Sequence, residues 1–159
     1  MKQSLLQAIG IIIISGALGI IVNEFRANGI PLVEQWQVKV LNEQLTGGLP
    51  AVSFRQAKEA YERGGALFVD ARDPDFYNQE HIPGAINLPV GDYELVFPEL
   101  QEELMAASRV ITYCDNVGCD TSAELCEKLL FAGLDRVEIF PGGIEQWKRA
   151  GQPVVSTRD

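Results

Sequence analysis

The sequence predicts an α/β domain with a parallel sheet flanked by helices, preceded by one transmembrane helix. Between residues 51 and 155, short apolar runs alternate with helix-like segments, a pattern typical of parallel α/β sheets. Near the N-terminus, an uncharged apolar run is long enough to cross a bilayer. The length of 159 residues leaves room for one domain with its own hydrophobic core besides this segment.

The N-terminal apolar run covers residues 5–22 and reads LLQAIGIIIISGALGIIV, with no charge and a single amide. As a helix it extends roughly 27 Å, close to the hydrocarbon thickness of a bilayer, and it has no polar face. A cleaved signal peptide is the alternative, but its apolar region is usually only about 7–15 residues long. We therefore predict a single-pass signal anchor over residues 1–27, bound to the membrane through residues 5–22.

The charges that flank the anchor favour one orientation. Lys2 and the free amine precede the apolar run, whereas Arg26 follows it beside Glu24. Because cytoplasmic flanks carry the excess of basic residues, we expect a cytoplasmic N-terminus and a domain on the non-cytoplasmic side. Residues 28–50 are predicted to form a partly helical spacer that ends in the turn formers TGGLP, and residues 51–159 form the domain.

The domain contains four candidate strands and four candidate helices. Ser53 and Gln56 resemble a capping box that opens the first helix, FRQAKEAYER. A second helix is predicted to begin at Pro98, because proline is favoured in the first helical turn. The other two helices are TSAELCEKLLFAG and GGIEQWKRAG. The candidate strands are ALFVDA (66–71), AINLPV (85–90), RVITYC (109–114) and RVEIF (136–140).

The charge balance excludes some classes of partner. The chain has 13 basic and 22 acidic residues, and the part beyond residue 27 has a formal charge of −10. Such a surface repels nucleic acid and anionic lipid headgroups, so we predict no nucleic-acid partner. Three cysteines are too few for a disulfide-stapled scaffold.

Two of the cysteines lie in the loop CDNVGCD, between the third strand and the helix that begins near Thr121. Sites in parallel sheets form where strands end and helices begin. Helix N-termini and loop N–H groups stabilise a negative sulfur there. We therefore predict that Cys114 is a nucleophile and that the amides of Asp115, Asn116, Val117 and Gly118 face its sulfur.

Two longer segments carry a resemblance to a known family. FVDARDPDFYNQEHIPGAINLP (68–89) resembles the first signature of the rhodanese-homology family, and VEIFPGGIEQWKRAGQPV (137–154) resembles its C-terminal signature. ITYC with the following loop and helix looks like the family's active site. The resemblance implies a rhodanese-like fold in which Cys114 carries sulfane sulfur as a persulfide, and in which Asp70 and Arg72 support the architecture of the site.

The active-site loop departs from the family pattern. It is about two residues longer than usual, it has no Lys or Arg, and it contains Asp115 and Asp120. Because thiosulfate is a dianion, two nearby carboxylates repel it by about a kcal/mol or more each. We therefore expect a thiol-bound persulfide, or a neutral or protein donor, together with a thiol acceptor.

Cys119 has two interpretations that the sequence leaves open. It could resolve a persulfide on Cys114 by forming a disulfide, or it could be a small loop residue that faces the core. Cys126 is predicted to lie in the core, because it shares a helix face with Leu129 and Leu130. His81 is predicted to make a structural hydrogen bond rather than act as a base.

These observations predict a membrane-tethered sulfurtransferase or persulfide carrier. The alternatives are a dithiol–disulfide redox protein that uses Cys114 and Cys119, and a non-catalytic binding module at the membrane. No metal site is predicted, because zinc needs four ligands and the single histidine, His81, lies in a structural motif. No cofactor is predicted, a C-x5-R phosphatase is excluded by Asp120 in the arginine position, and the oligomeric state is left open.

Overall fold

Four parallel strands form the centre of the domain in the computed structural model. The structure describes residues 47–157 and the isolated positions Gln7 and Ser15. The predicted anchor, apart from those two positions, and the spacer up to residue 46 lie outside the described residues. Among the residues that are described, there is no helix with the length and apolar character needed to cross a bilayer. The sheet belongs to the second of two units into which the chain divides, Val38–Asp159.

The strands are β1 (Leu67–Asp70), β2 (Ile86–Asn87), β3 (Val110–Tyr113) and β4 (Val137–Phe140), in the spatial order β2-β1-β3-β4. Every pairing is parallel, as the alternation of strands and helices predicts. In the register of the sheet, Asp70 lies opposite Tyr113, and Tyr113 lies opposite Phe140. The C-terminal ends of the three strands are therefore level with one another, and the segments that follow them share one edge.

Five α-helices cover the described part of the sheet: α1 (Phe54–Glu62), α2 (Pro74–Gln79), α3 (Tyr93–Ala106), α4 (Thr121–Phe131) and α5 (Gly143–Arg149). The capping box at α1 is confirmed, since Ser53 and Gln56 satisfy each other's backbone N–H groups. The sequence analysis did not predict α2, a short helix of six residues that begins with Pro74. Its segment has no apolar periodicity and no buried side chain that would have indicated it.

The predicted start of α3 at Pro98 is wrong, since the helix begins at Tyr93 and contains Pro98 in its interior. Tyr93 is buried and stacks on Phe97, with ring centroids 4.9 Å apart. Val96 packs against the same core. Burial of these side chains outweighs the one backbone hydrogen bond that an interior proline forgoes.

The second strand is shorter than the predicted 85–90 run. It comprises Ile86–Asn87, and a 3-10 turn, Val90–Asp92, follows directly after Pro89. Leu88 still donates its N–H to the Asp70 carbonyl, at 2.9 Å. Proline has no N–H to extend the ladder, so the strand ends there.

Apolar side chains fill both faces of the sheet. One cluster lies under α3 and α4 and includes Val69, Val110, Cys126 and Ile139. The other lies under α1 and α5 and includes Phe68, Ile111, Tyr113, Phe140 and Trp147. Successive strand residues alternate between the two clusters, which is the period-two pattern of a sheet buried on both faces. The predicted core position of Cys126 is confirmed.

Candidate functional site

The site lies at the C-terminal edge of the sheet, where Cys114 directly follows β3. The Cys114 side chain is almost fully buried, with 1% of the residue exposed. Its Sγ lies 3.2 Å from the Cys119 carbonyl oxygen and 3.5 Å from Ser122 Oγ in the first turn of α4. Thr112 on β3 donates its hydroxyl to the Ser122 carbonyl at 2.9 Å. Ser122 in α4 therefore contacts both Thr112 on β3 and the cysteine that follows this strand.

The two loop cysteines are in contact. Cys114 and Cys119 are paired as a disulfide, with their Cα atoms 6.3 Å apart, within the range that a disulfide spans. Cys119 Sγ also lies 3.0 Å from Thr121 Oγ1 at the start of α4. Cys119 therefore contacts Cys114, the nucleophile predicted from the sequence.

The loop tip is held by its own asparagine. Asn116 Oδ1 accepts the N–H of Gly118 at 3.0 Å, and the Asn116 carbonyl accepts the N–H of Cys119 at 3.0 Å. Val117 is exposed at the tip. Of the amides predicted to face the sulfur, the one from Gly118 is thus engaged within the loop. The roles of Asp115, Asn116 and Val117 at the sulfur stay predictions.

Helix α5 supports the loop from behind. The N–H of Ile144 donates to the Cys114 carbonyl at 2.9 Å, and the N–H of Glu145 donates to the Asp115 carbonyl at 3.0 Å. Gly143 permits this approach, because an added Cβ would lie 2.4 Å from the Cys114 carbonyl oxygen. Gly143 also has a φ of +56°, which L side chains rarely adopt. The sequence analysis predicted the helix that begins at these glycines but not the role of Gly143 at the loop.

Arg72 is the buried cation of the site. Its Nε donates to Asp70 Oδ1 at 2.9 Å and its Nη2 to Asp70 Oδ2 at 2.7 Å, which makes a bidentate pair. Nη2 also donates to the Glu80 carbonyl at 2.7 Å. Nη1 donates to Asp115 Oδ1 at 3.1 Å, so the guanidinium joins the first signature to the cysteine loop.

The surroundings keep Arg72 charged. Burial by itself lowers the pKa of Arg72, but the hydrogen bond and charge of Asp70 and the hydrogen bond of Asp115 raise it above its ordinary value overall. Burial and the nearby Asp70 also raise the pKa of the Tyr113 phenol well above its usual range. The Tyr113 hydroxyl accepts the N–H of Ile82 at 3.2 Å, so it is a buried structural group of the same edge.

The remaining cysteine and the histidine lie apart from this chemistry. Burial, and to a smaller extent Glu127 and Glu138, raises the pKa of the Cys126 thiol to about 12. Cys126 therefore stays protonated near neutral pH. His81 Nδ1 lies 2.9 Å from the Tyr77 carbonyl, and its ring stacks on Tyr77. This contact is the structural hydrogen bond that the sequence predicts. No group of metal-ligating side chains is found among the described residues.

Comparison with known proteins identifies the domain. The family model of the rhodanese-like domain matches residues 53–150. The thiosulfate sulfurtransferase GlpE of Coxiella burnetii is 29% identical over 97 residues, which cover 61% of this chain and 85% of GlpE. The HTH-type transcriptional regulator Rv0324 of Mycobacterium tuberculosis is 30% identical over 104 residues, 65% of this chain and 44% of that protein. The uncharacterized protein slr1261 of Synechocystis is 28% identical, and the match covers 57% of it.

Solved structures of other proteins share the fold of this domain. The BH2092 protein from Bacillus halodurans superposes with a TM-score of 0.61 at 24% identity, over 76% of this chain and 87% of that one. A thiosulfate sulfurtransferase from Pseudomonas aeruginosa superposes with a TM-score of 0.59 at 25% identity, over 75% of this chain but 22% of that enzyme. Among the sequence relatives, this chain spans only about half the length of Rv0324 and of slr1261. The domain itself is homologous to sulfurtransferases.

Proposed function

The chain belongs to the rhodanese-like domain family, and from this premise we propose that it is a sulfurtransferase or sulfane-sulfur carrier with Cys114 as nucleophile. We propose further that residues 5–22 tether it to a membrane, with the domain on the non-cytoplasmic side. The observation that carries the sulfur-transfer proposal is the position of Cys114. Its sulfur lies at the end of β3, beside the first turn of α4, in the loop that Arg72 reaches through Asp115.

The proposed reaction has two steps. The Cys114 thiolate attacks the outer sulfur of a persulfide donor R–S–S⁻, and the products are Cys114–S–S⁻ and the thiolate R–S⁻. A thiolate acceptor then attacks the outer sulfur of Cys114–S–S⁻, takes it as a new persulfide, and releases the Cys114 thiolate. The N-terminal dipole of α4 supports both anionic forms of the cysteine, because the first N–H groups of a helix point at its N-terminus.

The contact between Cys114 and Cys119 favours a second candidate function, a dithiol–disulfide protein. The two functions are linked by one chemical step. The Cys119 thiolate attacks the inner sulfur of Cys114–S–SH, forms the Cys114–Cys119 disulfide and releases HS⁻. An external dithiol then returns the pair to the reduced form. An oxidising compartment favours the disulfide.

The test is an intact-mass measurement on the full 159-residue chain in mild detergent. The protein is reduced with dithiothreitol, freed of reductant without oxygen, and mixed with 2-mercaptoethanol persulfide. We expect a gain of one sulfur atom that is absent in Cys114→Ser and retained in Cys126→Ala, the matched control for loss of a thiol. In Cys119→Ser the sulfur adduct should persist for longer.

Two results would count against sulfur transfer. One is the absence of a sulfur adduct in both the wild type and Cys119→Ser. The other is an adduct that survives in Cys114→Ser. If the wild type loses two hydrogens with release of sulfide while Cys119→Ser keeps the adduct, Cys119 is a resolving cysteine. The dithiol–disulfide function is supported instead if neither protein gains a sulfur adduct and the reduced wild type loses two hydrogens in a separate anaerobic incubation with oxidised 2-mercaptoethanol, which is reduced to the thiol.

A further inference from the structure

We propose that Asp115 is a specificity-determining residue that directs the site toward thiol-bound persulfides and away from dianionic donors such as thiosulfate. The inference deepens the proposed sulfur transfer on Cys114 and depends on it. It concerns which sulfur donor the site accepts, and it assigns that choice to one carboxylate rather than to the acidity of the whole loop.

Most side-chain N–H donors of Arg72 are already bound within the protein. A guanidinium has five N–H donors. Two bind Asp70, one binds the Glu80 carbonyl and one binds Asp115. A single Nη1 donor is therefore left for any ligand.

The guanidinium of Arg72 is almost closed to solvent. The side chain of Arg72 is 4% exposed and that of Asp70 is fully buried, whereas the side chain of Asp115 is 44% exposed. Asp115 is the partner that stands between the guanidinium and solvent. Asp115 directly follows Cys114 in the chain, so the exposed charge next to the nucleophile is negative, whereas the positive guanidinium is buried.

The charged side chains joined to the start of the loop have a net negative charge. Arg72 with Asp70 and Asp115 carries a net charge of −1, and a Cys114 thiolate adds another negative charge. The N-terminal amides of α5 are bound to the carbonyls of Cys114 and Asp115, so they do not offset this charge at the sulfur. The cations at the other end of α5, Lys148 and Arg149, are paired with Glu80 and Glu145.

The consequence is a site that discriminates by donor charge. Transfer from thiosulfate converts Cys114–S⁻ and S–SO₃²⁻ into Cys114–S–S⁻ and SO₃²⁻, so a dianion must enter and a dianion must leave. Transfer from R–S–S⁻ brings in and releases a single negative charge. Repulsion scales with the charge of the donor, so the penalty from Asp115 is larger for thiosulfate.

Asp120 is the other loop carboxylate, and its contacts differ. It occupies the N-cap position of α4, but its side chain makes no capping hydrogen bond, and the residue is exposed. A carboxylate in water is screened within about 8–10 Å at ordinary salt and does not compete for Arg72. Asp120→Asn is therefore the matched control, with the same charge change in the same loop.

The experiment measures Cys114 loading by rapid-quench mass spectrometry in the full chain, with thiosulfate and with 2-mercaptoethanol persulfide as separate donors. We expect Asp115→Asn to raise the thiosulfate rate constant, relative to the persulfide rate constant, about tenfold, equivalent to about 1.4 kcal/mol. Asp120→Asn should change this ratio less than twofold. Added salt should accelerate thiosulfate loading of the wild type more than that of Asp115→Asn, since screening relieves repulsion.

Each outcome decides the inference. If Asp115→Asn accelerates loading equally from both donors, Asp115 does not determine donor specificity. The same conclusion holds if Asp120→Asn raises the ratio of the thiosulfate to the persulfide rate constant by as much. Either result leaves the proposed sulfur transfer intact. Absence of loading from either donor in every variant overturns the proposed function and this inference with it. Asp115→Ser, which replaces the whole carboxylate by a shorter hydroxyl group, serves as a second variant. A raised donor ratio in either folded variant supports the proposal, and an unchanged ratio in both overturns it.

Discussion

The buried Asp70–Arg72 pair and the exposed loop tip at residues 116–118 lie at the same edge of the sheet but differ in what holds them. Asp70 and Arg72 make a bidentate ion pair that is almost closed to water. The tip is held by hydrogen bonds that Asn116 makes within the loop. Asp115 connects the two regions, because its side chain binds Arg72 and it directly precedes the tip in the chain. Its carbonyl accepts the N–H of Glu145 in α5.

The buried pair and the exposed tip should therefore differ in how much each contributes to stability. The buried pair holds the start of the loop through the contact of Arg72 with Asp115. Removal of either charge of the pair would leave the other desolvated and without its bidentate partner. The tip residues are exposed to solvent, so substitutions there should cost little stability. We therefore expect substitutions to fall into separate ranges of unfolding free energy, depending on the region that they alter.

The largest effect should come from Asp70→Ala. This change leaves the Arg72 guanidinium buried without its bidentate partner, and loss of one member of a buried pair costs about 3–5 kcal/mol. The measurement is urea unfolding followed by circular dichroism. Glu62→Ala, which breaks the exposed pair with Lys58 at 3.6 Å, is the control and should cost about 0.5 kcal/mol or less. Equal losses in the two variants would contradict the distinction between buried and exposed pairs.

Gly143→Ala should follow, with a loss of about 2–4 kcal/mol in the same unfolding measurement. A left-handed backbone costs an L residue about 1–2 kcal/mol, and displacement of the Cys114 and Asp115 carbonyls adds to this. Gly64→Ala is the matched control, because Gly64 has a φ of +62° but no atom within 4 Å of an added Cβ. It should lose only the backbone part, and a loss as large as that of Gly143→Ala would show that close packing on the loop is unimportant.

The smallest effect should come from Val117→Ala at the loop tip. Val117 is 47% exposed, and exposed substitutions change stability by about 0.5 kcal/mol or less. The same substitution at Val69, fully buried in β1, should cost about 2–3 kcal/mol through lost burial and a residual cavity. Thermal or urea unfolding of the two variants compares the regions directly. A loss above about 1.5 kcal/mol for Val117→Ala would mean that the tip is packed against the domain.

Much of the fold could be predicted from local pattern. The apolar runs around Phe68, Ile111 and Ile139 predicted buried strands, and the capping box at Ser53 predicted the start of α1. These predictions succeed because periodicity and capping are properties of neighbouring residues. The start of α3 was missed because burial of Tyr93 decides it against a local signal from Pro98.

The site was predicted in part. The position of Cys114 at the end of a strand follows from the order of the elements, and the first signature drew attention to Asp70 and Arg72. The sequence left the orientation of Cys119 open, and it indicated a loop without any cation. The structure brings Arg72 to Asp115 across 43 residues, which no spacing rule predicts.

The sequence by itself determined the α/β alternation, the strand-to-helix position of Cys114 and the acidic character of its loop, because each depends on residues that are adjacent in the chain. Only the tertiary structure decided that Arg72 binds Asp115, that Gly143 backs the Cys114 carbonyl and that Cys119 faces Cys114. Parallel pairing makes β1, β3 and β4 end at one edge, so residues far apart in sequence become neighbours there. Their distances depend on register and packing, which local sequence patterns do not specify.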